Sequence, residues 1–408
     1  MTSRKNAVSM QSSLNNLETD PSHHLTGPFV PQTPIHSNGS TPSTEPSHRR
    51  KLPGTPVDSE FYQSKGLWTD FKTLTWMRIP YSALKMLLIP VVLYFVWDIL
   101  HIPFANPFAP LIFISHRVPD SDPSDPRYSK GWMDIPFVLY HVIVFSFIRQ
   151  FAILKVLIPL GRRLGLKKAA KIDRFGEQGY AMLYHGGMGI WGLFIMSSLP
   201  TWWYQSEFYW IGYPHWDMKP LLKRYYLMQG AYWLQQLIVL ALRLEKPRKD
   251  FKELVLHHIV TLYLIGWSYG ISMTLIGNAV YASMDIPDAF LAFSKLCNYL
   301  QWEVTKTVSF VIFVFVWTYF RHWLNLVMLW SVIYENHLVP EASKIWKPFD
   351  GYWMPGWMKY QIFIPLFLLQ LLNLFWYFLI WRILIRAVVG TPVDDERSDD
   401  EGDDGKED

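Results

Sequence analysis

An all-α polytopic membrane protein with about eight transmembrane helices is the fold class that three features of this sequence predict. Apolar runs near twenty residues, long enough to cross a hydrocarbon core of about 30 Å as a helix, recur along most of the chain. Only 18% of the 408 residues are charged, against roughly a quarter in soluble domains. Lys and Arg collect in alternate inter-run loops, as cytosolic loops do in membrane proteins.

Residues 1–60 are rich in Ser, Thr, Pro, Asn and His, with Phe29 as the only aromatic. Such a segment buries too little apolar surface to offset ordering, so it is expected to be a disordered cytosolic segment. No signal peptide is expected, because the first apolar run starts only near residue 80. An N-terminal membrane region over 61–165 then carries two spans, 81–102 and 133–158. Six more are expected between 166 and 390, at 178–198, 221–244, 252–273, 276–297, 308–331 and 359–387. The fifth and sixth spans are the weakest in hydropathy, because they contain ionisable residues. Trp202, Trp203, Tyr204, Tyr209, Trp210, Tyr213 and Trp216 crowd one loop, as an interfacial belt would. The stretch 391–408 is an acidic tail of net charge −8, expected to be disordered and cytosolic, which leaves a body of about +12. Ser398 within it precedes Asp399, Asp400 and Glu401 and resembles a casein kinase 2 phosphorylation site.

Orientation follows from the cations. Arg162, Arg163, Lys167, Lys168, Lys171 and Arg174 follow the second span, Lys246, Arg248 and Lys249 follow the fourth, and Arg49, Arg50 and Lys51 precede the first. The loops after the first, third and seventh spans are poorer in cations and richer in Pro, Trp and Tyr. Both termini are therefore expected in the cytosol, with the Asn38-Gly39-Ser40 sequon unglycosylated.

Ionisable side chains at membrane depth are costly and mark function. One group begins at Arg248, Lys249 and Asp250 and continues through Glu253 to His257, His258 and Thr261. On a helix Glu253 and His257 are i,i+4 neighbours, and Thr261 lies one turn beyond. The second comprises Asp285, Pro287, Asp288, Lys295, Asn298 and Trp302. Tyr281, Asp285, Asp288, Lys295 and Trp302 fall close to one helical stripe, and Pro287 frees a carbonyl inside that helix. A short connection makes the two helices antiparallel neighbours, so the histidine pair can face the aspartate pair. An imidazole beside a carboxylate is the usual general base. Adjacent histidines point about 100° apart, so one is expected to be chemical and the other a structural or substrate contact. Each cluster also has a bland reading: Lys295 as a snorkelling cation, Asp250 as an ion-pair partner of Arg248 or Lys249.

The thirteen histidines form no spaced boxes of the kind a membrane di-iron centre needs, and lone Cys297 lacks partners for zinc or a disulfide. No resident metal or cofactor is expected, and no nucleic-acid partner. Phosphate-binding glycine loops and a GxSxG elbow are absent from the sequence.

The string RKDFKELVLHHIVTLYLIGWSYG over 248–270, followed by NAVYASMDIPDAFLAFSKLCNYLQW over 278–302, resembles the signature of the ceramide synthases of the TLC-domain family. Tyr225-Tyr226, Tyr232-Trp233, Gln235-Gln236, Lys130-Gly131 and Asp134 add to the resemblance, which covers about 80–390. The short 103–131 loop and the acidic tail are similar to the fungal members. The resemblance implies a six-helix TLC-type bundle enclosing the site, and an endoplasmic reticulum enzyme joining dihydrosphingosine or phytosphingosine to a long or very-long-chain fatty acyl-CoA co-substrate. It places catalysis on His257 and His258 with Asp285 and Asp288. Substrate contacts then fall to Arg248, Lys249, Asp250, Thr261, Tyr281, Lys295, Asn298 and Trp302. A histidine serves as base or carries the acyl group itself; both routes stay open. A small single-pass regulatory subunit and a dimer are implied partners. The alternatives are a non-enzymatic TLC-type lipid-binding or translocon-associated protein, whose relatives are expected to lack both motifs, and a proton-coupled transporter, for which the sequence offers no inverted repeat.

Overall fold

A computed structural model describes residues 64, 66–244 and 250–389. The N-terminal segment, Arg248, Lys249, the acidic tail and Ser398 lie outside the described residues. Eight long helical rods make up the described fold: α1 (Pro80–Ile99), α2 (Asp134–Arg163), α3 (Ala169–Ser197), α4 (Pro220–Ala241), α5 (Phe251–Gly270), α6 (Thr274–Tyr299), α7 (Glu303–Tyr334) and α8 (Met358–Val389). α1 and α4 open on Pro80 and Pro220, where the missing N–H is one the helix could not satisfy anyway. Two rods are not α-helical throughout. α2 passes through a π-helical turn at Ala152–Leu157, and α7 through another at Thr318–Leu324. α6, by contrast, continues unbroken through Pro287.

Four rods, α1, α2, α7 and α8, are both long and apolar enough to cross a membrane, with mean hydropathies of 1.4–2.0. The other four are of similar length but carry the polar side chains that the fold turns inward, His185, Gln229, His257, His258 and Asp285 among them. Their lower hydropathy is thus the mark of an interior polar face.

Small residues let the central helices approach. Gly186, Gly189 and Gly192 line one face of α3 against Ala282, Ile286 and Ala289 of α6. A Cβ on Gly189 would lie 3.0 Å from Ile286 Cγ1 and 3.4 Å from its backbone nitrogen, so the two backbones meet with no room between them. The aromatic loop after α3 differs from the expected belt. Trp202, Trp203 and Trp216 are exposed, but Tyr204, Tyr209, Trp210 and Tyr213 are buried in the core. Three of their four polar tips are anchored there: Tyr204 donates to the Ala279 carbonyl at 3.2 Å, Trp210 Nε1 to Ser331 Oγ at 2.6 Å and Tyr213 to the Ile271 carbonyl at 2.8 Å, while the buried Tyr209 hydroxyl has no hydrogen-bond partner among the described residues. Partnered tips let Tyr and Trp sit inside, where they stopper the bundle.

On the same end, Lys223 of α4 is 0% exposed. Its ammonium lies 2.7 Å from Asp134 Oδ1 and donates to the carbonyls of Ser115 (2.8 Å) and Ser129 (2.6 Å). Asp134 also accepts from the Gly131 N–H at 2.8 Å and the Tyr269 hydroxyl at 2.7 Å. A buried cation so fully paired ties the α1–α2 loop to the first turns of α2 and α4 and the end of α5. A small hairpin pairing Trp346–Lys347 with Tyr352–Trp353 closes the α7–α8 loop.

Candidate active site

α5 supplies His257 and His258, both buried. Their rings stand nearly perpendicular with centroids 5.7 Å apart, as adjacent helical positions require. Nδ1 of His258 lies 2.8 Å from the Leu254 carbonyl, so it carries the proton and leaves Nε2 as the acceptor of the neutral ring. His257 packs edge-on against Trp233 at 5.5 Å and Trp376 at 5.4 Å, and the Trp376 indole donates to Asp250 Oδ2 at 3.0 Å.

α6 supplies the carboxylates. Asp285 is 1% exposed and is held on both oxygens: Oδ1 lies 2.8 Å from His185 Nδ1 of α3, and Oδ2 accepts from Gln229 Nε2 of α4 at 2.5 Å. Tyr184 in turn donates to Gln229 Oε1 at 3.0 Å. One turn on, Asp288 pairs with Arg321 at 2.7 Å. Arg321, 3% exposed, comes from the π-helical segment of α7 and also donates to the Met284 carbonyl (2.9 Å) and Asn373 Oδ1 (3.1 Å), with its plane over Trp317. π-helical turns are frequent at functional sites, and here one aims a buried guanidinium at a carboxylate.

Two cavities meet at these residues. A polar chamber of about 230 Å³ is lined by Arg149, Glu177, His185, His258, Asp288 and Lys295. A narrow apolar cleft of about 60 Å³ runs between α5, α6 and α8, along Thr261, Leu264, Val280, Tyr281, Met284 and Leu369. Trp233, His257 and Arg321 line both. A molecule with a reacting head and an apolar tail therefore has a place for each, with an imidazole at the boundary. Among the described residues, no three His, Cys, Asp or Glu converge as a metal would need.

Of the residues singled out in the sequence, His257, His258, Asp288 and Lys295 share the polar chamber, while Asp285, Thr261 and Tyr281 border the cleft. Asp250 joins through Trp376. Asn298 and Trp302 line neither cavity, and Trp302 is 49% exposed at the start of α7. Asp285 takes its imidazole from α3, not from the pair on α5. His185, Gln229 and Arg321 were not singled out, and Trp233 only as part of the family resemblance. Arg321 left a signal, an arginine inside the apolar run 308–331, which charge at membrane depth should have flagged. His185 left only a histidine beside glycines.

The fold and site together define a helical membrane protein with a buried histidine–carboxylate chamber opening on an apolar cleft. The TLC domain family model matches residues 174–382, from α3 into α8, and the chain belongs to that family. It is 42% identical over 291 residues to the sphingosine N-acyltransferase lac1 of Schizosaccharomyces pombe, covering 71% of this chain and 74% of that protein. It is 40% identical over 309 residues to the ceramide synthase LAG1 of Saccharomyces cerevisiae, covering 74% and 72%. The ceramide synthase 1 LOH3 of Arabidopsis thaliana is 30% identical over 257 residues, covering 59% and 79%.

Proposed function

We propose that this protein is a ceramide synthase, joining dihydrosphingosine or phytosphingosine to a long or very-long-chain fatty acyl-CoA by an amide bond. The observation that carries this is the meeting of polar chamber and apolar cleft at His257, in a chain whose fungal relatives are named for that reaction. The amine must lose a proton as it attacks the thioester carbonyl, and a histidine with an oriented acceptor nitrogen serves as base. The same imidazoles would serve a route in which histidine first takes the acyl group. His257 and His258 are assigned the chemistry. Asp285 and Asp288 hold the site's geometry, the latter through Arg321. Arg149 and Lys295 at the chamber, and the cations Arg162, Arg163, Lys167, Lys168, Lys171, Arg174, Arg248 and Lys249, give the coenzyme's phosphates their counter-charge. Asp250, Thr261 and Tyr281 are assigned to substrate contact; Asn298 and Trp302 remain substrate candidates only at the α6–α7 corner.

All eight rods are assigned as membrane spans, α3–α8 as the six-helix bundle, in the endoplasmic reticulum with both termini cytosolic. A small single-pass subunit and a second copy of the chain are assigned as partners, and Ser398 as a phosphorylation site. The test is mass spectrometry of lipids formed by purified protein from a sphingoid base and a panel of acyl-CoAs. New N-acyl sphingoid base, lost in His257→Ala and His258→Ala, is expected; no amide product with any pair rejects the proposal.

A further inference from the structure

We propose that His185 is a third imidazole of this site and takes the first of the two protons that the sphingoid nitrogen must lose. It rests on the acyltransfer reading above. At neutral pH a long-chain base carries its nitrogen as an ammonium, as an alkyl amine of pKa near roughly 10 does. Amide formation therefore removes two protons from that nitrogen, one before attack and one as the amide forms. A single histidine cannot hold both.

His185 has the geometry for the first. Its Nδ1 faces Asp285 Oδ1 at 2.8 Å, and Asp285 is itself fixed from the other side by Gln229. A carboxylate on Nδ1 sets the tautomer, leaves Nε2 as the acceptor and stabilises the imidazolium that forms. Nε2 makes no hydrogen bond among the described residues, and the ring lines the polar chamber. Trp233 stands between the histidines, 6.3 Å from the His185 ring centroid, 5.5 Å from that of His257 and 5.6 Å from that of His258. Three imidazoles thus surround one indole at the mouth of the cleft. Asp285 and Asp288 of α6, Arg321 of α7 and Tyr232 of α4 face His185, and Arg149, Glu177 and Lys295 share its chamber.

The ammonium gives one proton to His185 Nε2, whose imidazolium keeps its Nδ1–H on Asp285. The freed lone pair forms the C–N bond as the C–S bond breaks. The second nitrogen proton passes through the histidine pair of α5 to the coenzyme sulfur, and His185 returns its proton to water.

The experiment is the pH profile of N-acylation from pH 6.5 to 9.5 for the wild type and for His185→Gln and His185→Asn in detergent, with elution and melting curves checking assembly. Both variants should lose about 10²-fold at pH 7, the low end for a general base. They should recover to within about threefold of the wild type at pH 9.5, where free amine is abundant in solution. An equal loss at every pH makes His185 a packing or positioning group and overturns the proposal, as does full activity at pH 7. Failure of both variants to assemble assigns the pair to folding and also overturns it. A wild type that forms no amide sinks the acyltransfer reading itself, a result the variant ratios cannot mimic.

Discussion

Asp288 and Arg321 show what single side chains must do inside this bundle. Removing one member of a buried ion pair costs about 3–5 kcal/mol where both are sealed from water, because the other charge is left unpaired. Asp288 keeps 25% side-chain exposure toward the chamber, so Arg321→Met should fall at or below the lower bound and lower the melting temperature in detergent. Adding Asp288→Asn should recover part of that loss, and a strictly additive double mutant would refute the coupling. His257→Ala and His258→Ala should behave differently, losing activity while assembling. Their losses should be unequal, about 10²-fold or more for the base and less for its neighbour, measured as turnover per folded molecule. Equal, small losses in well-folded protein would remove both from the chemistry. At this scale the sequence revealed residue types but not partners. His257, His258, Asp285 and Asp288 stood out because charge at membrane depth is costly. The partner of Asp285 sits 100 residues away on α3, and nothing in local spacing announces a pairing that distant.

At the scale of elements, the helices were legible because each is a long, largely apolar run, and the expected ranges overlap all eight rods, four of which are apolar enough to cross a membrane. The π-helical turns in α2 and α7 were not, since one extra residue per turn barely alters an apolar pattern, yet one of them aims Arg321. The α3–α6 contact depends on missing side chains. Gly189→Leu should separate the helices, break the His185–Asp285 contact and cut both assembly and activity, whereas Gly187→Ala, with open space around its Cβ, should do little. If Gly189→Leu assembles with normal activity, the close approach is not what builds the site. Lys130 makes a pH prediction at the loop end. Burial pushes its ammonium down to about 8, although the Trp353 face 3.7 Å away and the Ser272 hydroxyl favour the charged form. With the folded value below the unfolded one, near roughly 10.4, the unfolded chain binds more protons between them, so stability should rise from pH 8 to 10. That rise in melting temperature, relative to Lys130→Met, should be absent below pH 8.

For the whole molecule, sidedness combines both kinds of information. The proposed cytosolic placement of the loops after α2 and α4 rests on their charge bias alone. The Lys223–Asp134 cluster independently gathers the starts of α2 and α4 with the end of α5 and the loop after α1. Those four meet at one end of the bundle, opposite the cations, as the proposed alternating spans require. On the proposed count of eight crossings, an even number, the chain returns to the side where it began. Asn38 should consequently stay unglycosylated in a secretory-pathway host. A sequon built at exposed positions of the α1–α2 loop, by Asp120→Asn with Asp122→Thr, should acquire a glycan. The readout is an endoglycosidase-sensitive mass shift. A shift on the wild type that Asn38→Gln abolishes would reverse the orientation, move the polar chamber's cation-rich side into the lumen, and separate it from cytosolic acyl-CoA.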